Sequence, residues 1–540
     1  MDKPSIAAQP LTSGLASGSL VFIAFLCLLA LLQNVAGCRT SAFGAFPDES
    51  AHFTAGVMVH DYLFPAPHGN PIAFAKAYYV KHPFFALGVW PPLFYGAEAV
   101  WMAVFGVSRA AALWLEAVLA AALATLAFLL FRLRFGTPAA WCGALLLFSV
   151  PVMQWNACLV MVDIPSSLVA LLAVHRFSRY LDTLRWRDAI LFACLMALAI
   201  YTKNSTYYIG LVPPLAILFG WRWSVLRQPS LWATPFIVGA LYGPWLFLSR
   251  QVLLRGIASL QLPGLPGTTW EFLRQLVSEM GFLMVFALVG VSFLARRLPR
   301  VASFELCVLA LPPALLFGLF VARVPVQQRL LVLAYFAVAW LVLEGVSGLA
   351  RSVFHPQWAV PAAAVLVLAF GATHWLRFRY PPHNEIGPAV ARIEQEDHAQ
   401  RGSVLLPSTQ EGPWIAEFAE RESPRPYRLL VRPTKFLVSE DWNGGQTTPY
   451  YHSPDELARM LHDTPVRFCV LLQRGAGRVY DHDRELHSLL TAYPDRWRVI
   501  YTAPEPSATA FQVFENTQWT PAAERATEDA VRRRILGAFN

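Results

Sequence analysis

Long apolar stretches dominate the first two thirds of the chain. They fall near residues 17–36, 84–106, 110–131, 138–160, 165–178, 188–202, 205–221, 231–248, 277–295, 301–321, 330–348 and 357–375. Most approach the roughly 20 residues that a helix needs to cross a bilayer, so the pattern predicts a polytopic α-helical membrane protein. After Arg377 the pattern changes. Short apolar runs at Val404–Leu406, Val466–Leu472, Trp497–Tyr501 and Phe511–Phe514 alternate with amphipathic stretches at Trp414–Arg421, Pro454–His462 and Arg484–Thr491, which reads as a small α/β domain outside the membrane. The expected division is therefore 1–376 and 377–540.

Composition agrees. Of 540 residues 56% are hydrophobic and 14% charged, whereas a soluble chain keeps about a quarter charged. Disordered, collagen-like and disulfide-rich secreted classes are excluded. The seven cysteines lie mostly in apolar runs without ligand-type spacing and read as small core residues. The net charge of +8 is unevenly placed, +10 up to Trp375 and −2 beyond it. Such a bias in a polytopic chain is a topology signal, and nucleic-acid binding is a poor second reading.

Basic clusters occupy short connections at Arg132/Arg134, Arg176/Arg179/Arg185/Arg187, Arg222/Arg227, Arg296/Arg297/Arg300 and Arg351, and the positive-inside rule wants them on one face. They alternate correctly. With the N-terminus inside, the scheme works when 84–106 does not cross; His82-Pro83, Gly88, Pro91-Pro92 and Gly96 suit an interfacial or re-entrant helix. About eleven spans result, with an external first loop, 37–109, and an external C-terminal domain. The alternative makes 84–106 a full span and moves 37–83 into the cytoplasm. Val35-Ala36-Gly37-Cys38, which looks like a lipoprotein box, is read as the end of a retained first span.

The external loops carry the chemistry. Pro47-Asp48-Glu49-Ser50-Ala51-His52-Phe53 follows the first span, and Tyr78-Tyr79-Val80-Lys81-His82-Pro83 comes later in the same loop. Asp163 precedes Pro165 before a helix, Lys203 sits in Tyr201-Thr202-Lys203-Asn204, and Arg323 and Arg329 flank a late loop. Singly each has a plain explanation: Asp48 and Asp163 as helix caps, Lys81 snorkelling to headgroups, Lys203 ending a span. Parity, however, puts two acids and four cations on one face. Cations at membrane depth suit an anionic lipid head such as a phosphate, and a carboxylate opposite it can deprotonate an acceptor hydroxyl or amine.

These motifs, in this order across about residues 15–350, resemble the signatures of membrane-embedded C-type (GT-C) glycosyltransferases, in the branch of protein O-mannosyltransferases and the lipid A aminoarabinose transferase (glycosyltransferase family 39-like). The resemblance implies a GT-C fold and inverting transfer of a hexosyl or pentosyl unit from a polyprenyl-phosphate carrier to a lipid, glycan or protein acceptor. It places the protein, multi-pass, in a bacterial inner membrane, with catalytic loops and C-terminal domain periplasmic. Asp48 would be general base or orient the acceptor, Asp163 matches a second acid, and Lys81, Lys203, Arg323 and Arg329 would meet the donor phosphate. No cofactor is fixed by it; relatives with and without a divalent metal exist, and Glu49, His52 and His82 are the residues that would supply ligands. Three departures stand out: Lys81-His82-Pro83 replaces the family's Lys-Pro-Pro, Asn204 follows Thr202-Lys203 where glycine is usual, and Leu330 follows Arg329 where the late stretch has tyrosine.

Two other functions compete. A lipid-linked glycan transporter or flippase would also use buried charge, although no two-fold repeat is visible here. A polysaccharide polymerase or ligase differs mainly in its diphosphate donor. The glycines of Arg474-Gly475-Ala476-Gly477-Arg478 form no phosphate-binding motif.

Overall fold

The computed structural model describes residues 15–64, 68–85, 88–258, 264–298, 300–381, 385–424, 428–440, 447–472, 480–504 and 510–537; the glycine-rich 474–478 stretch lies outside them. Contacts divide the chain into two compact units. One comprises Met1–Ala36, Gly88–Phe94 and Leu113–Tyr380, and the other Gly37–Leu87, Tyr95–Ala112 and Pro381–Asn540. The division differs from a cut at 376/377, because the first loop folds with the C-terminal segment.

The first unit is helical. Among the described residues, six helices are long and apolar enough to cross a membrane: Ala16–Val35, Arg109–Phe135, Pro229–Arg250, Ser303–Val321, Gln328–Ser352 and Pro356–Arg377. A bent pair, Leu265–Met280 and Leu283–Ala295, makes a seventh if counted as one span. Eleven crossings are not reached by length and composition, because several apolar runs are broken. The 138–160 run stops at Val150 before Pro151, where a new short helix begins. The 205–221 run opens as a 3₁₀ turn, Asn204–Leu211. The 277–295 run turns through 114° around Gly281, whose φ of 52° and ψ of −131° are open only to glycine. In the other unit, Leu93–Phe105 has 13 residues, about 20 Å of helix against roughly 30 Å of hydrocarbon.

Close helix approach depends on small residues, as expected where lipid supplies no hydrophobic drive between helices. A Cβ on Gly290 would lie 2.0 Å from the Leu341 carbonyl oxygen, and one on Gly345 would lie 2.2 Å from that of Phe286. These glycines seat Leu283–Ala295 against Val332–Ser352. Just beyond the contact, Arg297 meets the carboxylate of Glu344, which is fully buried. Arg134 reaches the same carboxylate at 3.1 Å and Arg351 at 3.4 Å.

Arg134 also pairs with Glu305 at 2.6 Å. Ser303 donates to Asp182, which lies 3.5 Å from Arg222, and Arg176 faces Asp188 at 4.0 Å. Every basic cluster predicted for one face thus contributes an arginine at one end of this unit. Asp163, at the start of the 21-residue helix Asp163–Thr183, stands about 30 Å along the axis from that end.

The second unit is built on a five-stranded mixed sheet in the order β2-β1-β5-β7-β6. The strands are β1 (Val404–Leu405), β2 (Leu430–Val431), β5 (Phe468–Leu472), β6 (Trp497–Thr502) and β7 (Phe511–Asn516), with β3 (Val438–Glu440) and β4 (Thr447–Pro449) as a separate antiparallel pair. β1 pairs in parallel with β2 and β5, and β7 runs antiparallel to β5 and β6. Strand alternation sends Leu405, Cys469 and Leu471 into one core, and Val404, Phe468 and Val470 into the other. The first loop completes both cores: Val80 and Tyr79 enter one, Ala42 and Phe84 the other. Gly412 makes room for Phe84, since a Cβ there would lie 2.2 Å from its ring.

Replacing Glu344 with Gln leaves three arginines without their shared anion. All three still reach water, which softens the loss, so the expected destabilisation is about 2 kcal/mol, below that of a fully buried broken pair. A thermal melt of the detergent-solubilised protein checks it, and an unchanged midpoint would contradict the role given to this carboxylate.

Candidate functional site

Asp48 and Glu49 occupy the first turn of the helix Pro47–Leu63, where Pro47 sets the first helical φ and acids favour the helix dipole. Successive helical positions point differently, and the two acids diverge. Glu49 is fully buried and accepts from Arg109 Nη2 at 2.7 Å; Arg109 also donates to the Ser41 carbonyl at 3.1 Å and stacks over Phe43. Asp48 is only half-buried. One turn on, His52 Nδ1 lies 2.7 Å from the Tyr95 hydroxyl.

Lys81 ends the helix Pro71–Lys81, which Asn70 caps through bonds from the Ile72 and Ala73 amides. Its ammonium lies 2.7 Å from Glu528 in the last helix of the chain, with both side chains partly open to water. His82 is buried, its Nε2 3.3 Å from Glu422, which also takes Arg428. Burial pushes the Glu422 carboxyl up, but the His82 bond and charge, joined by Arg428, outweigh it and hold the group below the usual carboxylate range. Arg432 donates to the Pro83 carbonyl at 2.9 Å and covers Phe84.

Glu49, His52 and His82 were the candidate metal ligands. Their partners are Arg109, Tyr95 and Glu422, and among the described residues no three His, Cys, Asp or Glu side chains converge for a metal ion. The donor set does not fit one, so the chemistry below uses none.

In the helical unit, Asp163 is buried and accepts from Lys203. The second carboxylate oxygen of Asp163 has no hydrogen bond among the described residues. Lys203 follows the helix Trp186–Thr202 in extended backbone, and Asn204 then donates to the Val89 carbonyl at 2.7 Å and accepts from Tyr242 at 2.7 Å. The turn Asn204–Leu211 packs on the end of Ser303–Val321, with Tyr207 donating to the Gly318 carbonyl at 3.1 Å. Arg323 lies just past that helix end, exposed and at φ 52°, and Arg329 lies just before Val332–Ser352, donating to Gln327 at 2.8 Å. All four predicted residues of this unit therefore share one end, opposite the Glu344 arginines. Among them, Asp163 and Lys203 form a pair.

Sequence reasoning missed the partners of the first loop: Glu422, Arg432 and Glu528 lie hundreds of residues away, and no local pattern marks them. It also missed a polar cavity of about 240 Å³ lined by Arg39, Ser41, Ser108, Arg109, Glu417 and Glu420 among others. Burial pushes the Glu420 carboxyl up to about 7, against a bond from the Arg109 amide at 3.2 Å.

Residues 89–247 match the family described as dolichyl-phosphate-mannose-protein mannosyltransferase. No curated protein matches by sequence. Among solved structures the chain is similar to ArnT from Cupriavidus metallidurans in the apo state, at 12% identity and a TM-score of 0.55 over 92% of this chain and 98% of that one. ArnT from the same organism bound to undecaprenyl phosphate gives 12% identity and 0.53 over 91% and 97%. This is the fold of the C-type membrane glycosyltransferases. The oligosaccharyltransferase of Archaeoglobus fulgidus in complex with zinc and sulfate shares it at 14% identity and a TM-score of 0.52, over 83% of this chain and 67% of that one. The GT-C likeness spans nearly the whole of both ArnT chains, so it takes in the C-terminal segment as well as the helices.

Two outcomes follow from the buried carboxylates. Glu49→Ala strands Arg109 at 4% exposure and is expected to cost about 3–5 kcal/mol, with Glu49→Ala/Arg109→Leu recovering part of it in a denaturation series. Glu420 behaves oppositely. Folding raises its pKa, so its stabilising share is complete below the ordinary 4.5 and is lost as pH climbs through about 7. Glu420→Gln should therefore melt higher than the parent at pH 8, by about 2 kcal/mol, with the gap closing below pH 4.5.

Proposed function

We propose that this protein transfers a sugar from a polyprenyl-phosphate carrier to an acceptor, with inversion, on the periplasmic face of a bacterial inner membrane. The observation that carries the reading is the whole-chain likeness to ArnT, including the structure bound to undecaprenyl phosphate. The mannosyltransferase-family match over 89–247 supports it independently.

The reaction asks for an acid near the acceptor and cations near the departing phosphate. Asp48, half-buried and so open to a proton donor, takes the acceptor proton. Lys81 meets the phosphate as it leaves. Asp163, by pairing with Lys203, fixes the ammonium in place. Within the helical unit, Lys203, Arg323 and Arg329 are cations of the kind an anionic carrier head calls for, with Arg323 and Arg329 suited to bidentate phosphate binding. The acceptor is a lipid, a glycan or a protein.

Asp48→Asn should lower the transfer rate by about 10²- to 10⁴-fold while leaving donor binding intact, the signature of a lost general base. Lys81→Ala should weaken donor binding. Transfer of radiolabelled sugar in membranes, with protein level checked, measures both; normal transfer by both variants would end this assignment.

A further inference from the structure

The phosphate ligand proposed for Lys81 has an internal rival. Two acids of the last helix, Glu524–Gly537, lie near the lysine. Glu524 is committed elsewhere, accepting from the Ser403 amide and hydroxyl at 3.1 Å each. Glu528 reaches Lys81 Nζ at 2.7 Å. The contrast with Glu49 and Arg109 is instructive. That pair is 0% and 4% exposed and is a permanent fixture, whereas Lys81 and Glu528 are 22% and 31% exposed. Water reaches the second pair, so it exchanges readily.

Just past the lysine the backbone is held firmly, by Glu422 on His82 and by Arg432 on Pro83 and Phe84. Only the tip of Lys81 rests on a displaceable partner. A carboxylate oxygen at 2.7 Å from an ammonium stands where a phosphate oxygen would stand; the donor's phosphodiester matches its single negative charge, and the phosphate monoester left after transfer carries up to two.

We propose that Glu528 is an internal competitor for the donor phosphate, holding Lys81 until the carrier's phosphate displaces it. This rests on the reading of Lys81 as the phosphate ligand. The C-terminal helix thereby sets donor affinity without touching the sugar, and the lysine is never left unpaired in the empty state.

The test uses the full-length protein in nanodiscs, with polyprenyl phosphate in the bilayer and, separately, inorganic phosphate in solution. Glu528→Gln should tighten polyprenyl-phosphate binding and lower the donor KM up to about fivefold, with kcat within twofold, and Glu528→Asp should fall between it and the parent. A destabilised fold does not raise affinity, so this gain separates competition from a structural role. In Lys81→Ala/Glu528→Gln the gain must vanish. Unchanged or weaker lipid binding in Glu528→Gln, or a gain seen only with inorganic phosphate, overturns the proposal. If Lys81→Ala alone leaves lipid binding intact, the underlying role of Lys81 falls instead.

Discussion

Glu344 is the charge on which the helical unit turns. It is fully buried, and three arginines from the ends of three separate helical segments converge on it. Burying a lone carboxylate would be prohibitive, so the arginines must arrive together, and the glycine contacts at Gly290 and Gly345 bring two of the helices close enough for them to do so. Helices pinned at one end have their other ends determined by length. Asp163, Lys203, Arg323 and Arg329 are at those other ends. The network that satisfies one anion therefore fixes which polar residues face the opposite way.

The second unit solves a different problem. The first loop has a rigid backing, a sheet from the far end of the chain. Val80 and Phe84 each enter a core on one side of β1 and β5, so the segment between them is held from both sides. The polar pairs then differ in burial. Glu49 with Arg109 and His82 with Glu422 are dry, whereas Lys81 with Glu528 is partly reached by water.

Much of this was legible in the sequence, though unevenly. Arginine clustering gave the shared end of the helical unit, because charge placement is a property of loops that sequence displays directly. Strand alternation after Val404 was visible for the same reason. Span number was not: the breaks at Pro151 and Gly281 interrupt apolar runs whose hydropathy is continuous, and a window average cannot see a φ of 52°. The partner of Glu49, Arg109, was not legible because it lies 60 residues on, beyond any local pattern. The packing of residues 37–87 with residues 381–540 was likewise not legible, since in sequence they are joined to the helices.

Two of the three departures from the resembled pattern, at His82 and Asn204, follow the same logic. A proline at position 82 would have no imidazole to meet Glu422 and no amide to donate to the Tyr78 carbonyl, as His82 does at 2.9 Å. A glycine at 204 would have no side chain to join the Val89 carbonyl to the Tyr242 hydroxyl. Both substitutions add a tie from a residue beside a lysine to a remote segment, and neither removes the lysine. They alter how each ammonium is held while leaving its charge in place. Differences of this kind concern the rigidity and orientation of the two lysines.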